Sequence, residues 1–405
     1  MTQTLALLLD AYRELNSKKL FWFTLAISGL IAVSFAMVGI DTKGLSLLWW
    51  NIGDFGGFIN SDVIPKDQFY KMMFANFGVG FWLGWLATIL ALVSTSGMVP
   101  DFIAGGAVEL TLSKPISRVR LFGTKWLVGL LFVGLQVAAF SLACFLVIGI
   151  RGGSWTPRVF LAVPIVLLFF SYLYSVQALL GLVTRSTIAS LLLTLLFWLF
   201  LFLLNTADVI VLNGRETNAV RRESLVAKIE RLETSTGKRL REAALKDARE
   251  KATAAATAEG RTLDQAALDA ITVPEPAKEE VAAASIPVRD AKKDLEETER
   301  NKPRWEFACR IVVTGKTLFP KTSETTALLD RYLVKELDIP TPEEKEDENV
   351  ETIRRQLSAA DRQKVAKRME AILRGRTETW IIGTSLAFEC LVLGIAGWIF
   401  SRRDF

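Results

Sequence analysis

The chain has 405 residues, room for two to four domains at roughly 100–200 residues each. Hydrophobic residues make up 51% and charged residues only 22%, and the mean hydropathy is +0.32, a balance that points to a bilayer rather than a soluble enzyme. There is no histidine, which excludes His-based acid/base catalysis, Ser-His-Asp and Cys-His nucleophiles and His-ligated metals. Cys144, Cys309 and Cys390 lie too far apart to suggest a disulfide framework or a zinc spacing.

In chain order, residues 1–19 come first. Leu5, Leu8, Leu9, Tyr12 and Leu15 recur at helical spacing around Asp10, Arg13 and Glu14. That predicts an amphipathic interface helix on the membrane surface, ending at Ser17-Lys18-Lys19. The alternative is a short stub continuous with the first span. The segment lacks the early basic region and cleavage site of a signal peptide.

Six apolar runs follow, each at least 20 residues and so long enough to cross a hydrocarbon core of ~30 Å. They start near Leu20, Met72, Trp126, Val159, Ile188 and Trp380, and end near Ile40, Val93, Ile150, Val183, Val211 and Phe400. The expected fold is all-α: a polytopic membrane protein with six transmembrane helices and a large, mainly helical external insertion between the fifth and sixth spans. Residues 20–212 would hold spans one to five, with a cytoplasmic loop at 95–122. Residues 213–379 would form the insertion, and residues 380–405 the sixth span and tail. Gly44 to Phe69 is apolar enough to dip into the outer leaflet, with Trp49 and Trp50 as interfacial anchors.

The insertion is rich in Ala, Glu, Lys and Arg. Arg221 to Ala258 reads as one or two solvated helices, and Pro274, Pro276 and Pro287 mark a linker. Ala291 to Arg300 reads as another charged helix, followed by a more apolar stretch from Trp305 to Leu318. Ala327 to Leu337 and Val350 to Leu373 read as helical around the loop at Pro340-Thr341-Pro342.

From Thr206 to Thr379 basic and acidic residues are equal in number, so the whole +5 excess surrounds the apolar runs. If the spans alternate, Arg13, Lys18, Lys19, Lys114, Arg118, Arg120, Lys125, Arg185, Arg402 and Arg403 share one side. The positive-inside rule then puts both termini in the cytoplasm of a multi-pass protein of the cell (inner) membrane, and the insertion outside. The basic pI near 9.0 reports topology, not nucleic-acid binding.

No phosphate-binding loop is present. Gly315-Lys316-Thr317 resembles its end, but Arg310 stands where its first glycine belongs, and Gly237-Lys238 is followed by Arg239. The loop at 95–122 is more informative. It opens with Met98-Val99-Pro100-Asp101-Phe102 and closes with Leu112-Ser113-Lys114-Pro115-Ile116-Ser117-Arg118. Pro115 ends one helix and Ser117 can cap the next, whose first turns carry Arg118, Arg120 and Lys125. Asp101, Phe102 and Glu109 offer an acidic and apolar surface to a soluble partner. The plainer reading is a basic loop that sets topology.

These residues, with the six runs and the ending Phe400-Ser401-Arg402-Arg403-Asp404-Phe405, resemble the permeases of type-2 ABC exporters over roughly residues 1–212 and 300–405. The resemblance implies a membrane-spanning subunit that pairs with a second permease copy, in a homodimer or heterodimer. Separate ATPase subunits would act through Asp101, Phe102, Glu109, Ser113, Lys114, Pro115, Ser117 and Arg118. It implies export, no catalytic residue and no cofactor in this chain, and an insertion available to an extracytoplasmic partner. A second reading is a non-transporting anchor or scaffold that presents an external helical domain to partner proteins.

Gln136, Gln177, Asn205 and Glu389 lie inside apolar runs. Such residues face a bundle interior or a wet cavity, so Gln136, Gln177 and Glu389 are candidates for the substrate path or the bundle interior.

Overall fold

The computed structural model describes residues 19–42, 44–48, 50–53, 61, 64–104, 117–258, 264–333 and 357–402. Residues 1–18 of the surface helix expected at 1–19, the loop residues Glu109, Ser113, Lys114 and Pro115, and the Pro340 tract lie outside them. Among the described residues 87% are helical, and the chain divides into two compact units. Among the described residues, five helices are long and apolar enough to cross a membrane: Lys66–Ile103, Arg118–Gly152, Pro157–Thr184, Thr187–Ala258 and Thr379–Arg402. A shorter apolar helix, Phe21–Met37, accompanies them.

The first unit comprises Met1–Ala207, Val313–Lys345 and Arg374–Phe405. It begins with α1 (Lys19–Met37) and the strands β1 (Val38–Asp41), β2 (Gly44–Leu47) and β3 (Trp50–Gly53). The strands form an antiparallel sheet in the order β1-β2-β3, with Val38 opposite Leu47, Leu47 opposite Trp50, and a bulge between Leu45 and Ser46. The expectation of an all-α chain misses this sheet. Its strands are four residues each, too short to show a period of two clearly, and Gly44 turns the first hairpin at a φ of 108°.

The next apolar segment runs through α2 (Lys66–Met73), α3 (Phe74–Ala87), α4 (Thr88–Thr95) and the short α5 (Pro100–Ala104). Over α3 the turns widen to i→i+5 spacing. α6 (Arg118–Gly152) starts at Ser117, whose hydroxyl accepts from the Arg120 amide at 3.4 Å, and stops at Gly153, which takes the left-handed conformation. A short 3₁₀ turn at Pro157–Leu161 leads into α7 (Ala162–Thr184).

α8 (Thr187–Ala258) is one helix of 72 residues. The composition change near Val211 predicts separate elements, but only the character of the side chains changes there. Ala, Glu, Lys and Arg are as good helix formers as the leucines before them, and no proline interrupts the run. Up to Ala207 it belongs to the first unit and leaves Ile188, Leu192, Leu196, Leu199 and Leu203 at least half exposed. Trp22, Phe23, Leu30 and Val33 of α1 are equally exposed. Such apolar outer faces suit lipid rather than water.

α11 (Ile286–Leu318) joins the expected charged and apolar stretches into one helix with Pro303 inside it, and Pro287 sits in its first turn. α12 (Thr322–Leu333) follows, and its Leu328, Leu329 and Leu333 are buried in the core of the apolar unit with Phe74, Phe170 and Leu173. The unit closes with α14 (Thr379–Gly383), another wide turn, and α15 (Thr384–Arg402).

The second unit comprises Asp208–Val312 and Glu346–Leu373. It contains the charged part of α8, the short α9 (Gln265–Asp269) and α10 (Lys278–Ala284), most of α11, and α13 (Ala359–Arg374) up to Leu373. Its buried apolar residues include Val220, Leu225, Ile229, Val281, Val288 and Val365. Gly214 faces the Trp305 ring, and a Cβ there would come within 2.3 Å of it. Ion pairs knit the helices outside this core: Lys292 to Glu233 at 2.7 Å, and Arg222 to Glu299 at 3.1 Å.

Candidate functional site

The described ends of the 95–122 loop are tied to other helices of the apolar unit. Gly97 to Ala104 forms a turn and α5, and the Asp101 amide bonds the Gly97 carbonyl at 2.9 Å. The Thr187 hydroxyl at the start of α8 donates to Asp101 Oδ1, also at 2.9 Å. Lys125 of α6 stands over the Phe102 ring, its Nζ 4.9 Å from the ring centre. On the far side of the loop, Arg118 donates to the Ser401 carbonyl at 3.4 Å. Asp101 and Ser117 are exposed, and Phe102 and Arg118 are half-buried. Four of the predicted coupling residues therefore gather at one end of the helices, with the start of α8 and the end of α15. Glu109, Ser113, Lys114 and Pro115 lie outside the described residues.

The opposite end of these helices carries the sheet. Tyr70 of α2 donates its hydroxyl to the Val38 carbonyl at 2.9 Å, and Arg151 near the end of α6 donates to the Tyr70 oxygen at 3.3 Å.

Between the ends, the polar residues read from the sequence make separate contacts. Gln136 donates to the Phe21 carbonyl at 3.4 Å and ties α6 to α1. Gln177 donates to the Leu92 carbonyl at 2.9 Å and accepts from Thr95 at 3.2 Å, tying α7 to α4. Both are interhelical hydrogen bonds of the ordinary kind. Glu389, only 5% exposed, accepts from Ser171 of α7 at 3.0 Å. The hydrogen bond of Glu389 goes to a serine, one of many in the sequence, rather than to a residue that the apolar pattern marks.

A charged cluster at the sheet-bearing end was not foreseen. Lys316, at the end of α11, donates to Asn205 Oδ1 at 2.6 Å and pairs with Glu324 in the first turn of α12. Arg376 pairs with the same oxygen of Glu324 at 2.6 Å. Lys316 and Glu324 are buried. Nearby, the buried Lys321 donates to the Thr317 and Phe319 carbonyls at 3.0 and 3.1 Å and to the Thr384 hydroxyl. Its Nζ also lies 4.7 Å from the centre of the Trp380 ring. Burial pushes the Lys321 ammonium down to about 8, although Glu324 pulls it upward. Lys316 is the lysine of the Gly315-Lys316-Thr317 fragment; its role here is to pair with a carboxylate. The only sequence signal was a scatter of charges next to apolar segments, and the partners stand 8 to 111 positions from it.

Two grooves, of about 600 and 420 Å³, lie within the second unit. They are lined by mixed charges, among them Glu242, Arg249 and Glu250 in one and Glu230, Lys238 and Arg241 in the other. Among the described residues no cluster of His, Cys, Asp or Glu could hold a metal ion. Comparison of the chain with protein-family models, curated proteins and solved structures found no match in any of the three.

Proposed function

We propose that the chain is the membrane-spanning permease subunit of an ABC exporter, driven by separate ATPase subunits that act on the loop between the second and third apolar segments. Support comes first from the long apolar helices with exposed leucine-rich faces, which suit a bilayer. The observation that carries the reading is the anchoring of the loop. Asp101 holds the start of α8, Phe102 is covered by Lys125 of α6, and Arg118 reaches the end of α15. A push on this loop is thereby delivered to several helices at once, as a coupling element requires. A loop that only set topology would need charge, not these bonds.

In this reading both termini and the loop face the cytoplasm, the sheet faces outward, and the charged helical unit stands outside the cell membrane. A second permease copy completes the path. The chain itself contributes no nucleotide site and no catalytic group. The substrate class has no signature among the described side chains.

Two experiments test the proposal. The chain is purified from its native membrane in mild detergent and photolabelled with an azido-ATP probe. A co-purifying labelled P-loop ATPase is expected; its absence contradicts the reading. For orientation, Cys144, Cys309 and Cys390 are replaced and Ser235→Cys is labelled in intact cells. Reaction with an impermeant thiol reagent from outside is expected, and reaction only from the cytoplasmic side contradicts the topology.

A further inference from the structure

We propose that Arg300, Arg304 and Arg310, with Phe307 and Ile311 among them, form a face of α11 that binds the headgroups of anionic phospholipid. The inference rests on the membrane reading of the apolar helices, not on coupling to an ATPase. Arg300, Arg304, Phe307 and Ile311 follow one another at helical spacings of four, three and four residues, so they share one stripe of α11, and Arg310 borders it. All five side chains are exposed, Phe307 by 64% and Ile311 by 55%. Large apolar side chains in line with arginines mark a surface helix that meets a bilayer.

The depth of the stripe follows from its neighbour within the charged unit. The two long helices run antiparallel there: Trp305 covers Gly214, Asn218 donates to the Thr298 carbonyl at 3.1 Å, and Arg222 pairs with Glu299. Trp305 therefore stands level with Gly214, just beyond Val211, where the apolar run of α8 ends beside the exposed Ile210. At 1.5 Å per residue that is roughly 5 Å past the end of the apolar run, the depth of the headgroups. Arg304 lies at this level, and Arg300 about 6 Å farther out. Phe307 and Ile311 lie on the hydrocarbon side. Arg310 is also deeper, and its long stem carries the guanidinium back towards the headgroups.

Charge sets the kind of lipid. From Arg300 to Ile311 the helix holds four basic residues and one acid, so this stretch has a net positive charge to be met. The acids nearest in sequence have other partners: Glu299 pairs with Arg222, and Glu306 with Lys302 at 3.8 Å. Arg300, Arg304 and Arg310 make no ion pair or hydrogen bond among the described residues. A guanidinium fork matches phosphate oxygens, and a net negative headgroup adds an attraction that a zwitterionic one lacks. A phospholipid answers both halves of the stripe, with phosphate at the arginines and acyl chain at Phe307 and Ile311. An acidic peptide would answer the arginines alone.

The test uses the full-length chain with Cys144, Cys309 and Cys390 replaced and a nitrobenzoxadiazole fluorophore on Phe307→Cys. The protein is placed in nanodiscs that contain phosphatidylcholine with a nitroxide on its headgroup. Quenching at least roughly twofold stronger in discs with added phosphatidylglycerol than in phosphatidylcholine alone is expected, and high salt should remove the difference. The triple variant Arg300→Gln/Arg304→Gln/Arg310→Gln should remove it as well. A second probe, on Leu192→Cys in the exposed apolar face of α8, should be quenched by an acyl-chain nitroxide in every disc. If Leu192→Cys is quenched and Phe307→Cys shows no preference for the anionic lipid, the proposal fails and the membrane reading stands. If neither probe is quenched, the membrane reading falls and the proposal with it. If the triple variant keeps the wild-type preference, the arginines do not hold the headgroup and the proposal is contradicted.

Discussion

Two carboxylates, one in each unit, each face one lysine and one arginine. Glu324 in the apolar unit sits between Lys316 and Arg376, and Glu223 in the charged unit sits between Lys364 and Arg368. The Glu324 side chain is 8% exposed and that of Glu223 is 43% exposed. Both Glu324 contacts go to one oxygen, and its Oε2 has no hydrogen-bond partner among the described residues. Glu223 uses both oxygens, with Arg368 forked across them at 2.9 Å and Lys364 at 2.8 Å. The better geometry is the weaker interaction, because water competes for an exposed pair and not for a buried one. Burial, rather than the count of bonds, decides how much each acid matters.

The comparison is broken most severely at Glu324. Glu324→Ala removes the carboxylate shared by the buried Lys316 and the half-buried Arg376 and should cost about 3–5 kcal/mol, read as loss of thermal stability in detergent. A loss below roughly 1 kcal/mol would put Glu324 in the class of Glu223. Next comes Lys321, whose folded-state value near 8 lies below its ordinary 10.5. The unfolded chain then binds the extra proton between these values, so folding gains stability as pH rises from 8 towards 10.5. Lys321→Met should remove that gain, up to roughly 3 kcal/mol; identical pH profiles of the two proteins from pH 7 to 10 would contradict the burial argument.

The smallest effect belongs to Glu223. Hydrogen bonds from Lys364 and then Arg368 hold its carboxyl below the usual value near 4.5. Its contribution is therefore complete above that value and is lost as pH falls through the lowered one. Glu223→Ala should cost only about 0.2–1 kcal/mol at neutral pH, and high salt should erase the difference. An effect that survives high salt would mean that the pair is shielded from water in a way its exposure denies.

The two units also differ in how much of them the sequence disclosed. The apolar helices were legible because a bilayer imposes length and composition together, and each run is bounded by charge or proline. The join at Val211 in α8 was not, since helix propensity continues where hydropathy stops. Nor was the continuity of α11, because a proline usually ends a helix and Pro303 does not. At the loop, Ser117 as a cap followed from residue type alone, whereas the bonds of Asp101 to Thr187 and of Arg118 to Ser401 bridge 86 and 283 positions. The same holds for Glu389: its burial follows from its place in an apolar run, but nothing in the pattern singles out Ser171. Partners chosen by tertiary packing leave no spacing behind.

Force transmission through the loop can be measured directly in the double variant Glu109→Ala/Arg118→Ala. Wild type and variant are purified from the same membranes, and the co-purifying ATPase and its ATP hydrolysis are compared at equal amounts of inserted chain. The coupling account predicts normal insertion of the variant, with either less ATPase retained or hydrolysis no longer linked to transport. Equal ATPase recovery, equal hydrolysis and equal transport by the variant would contradict it.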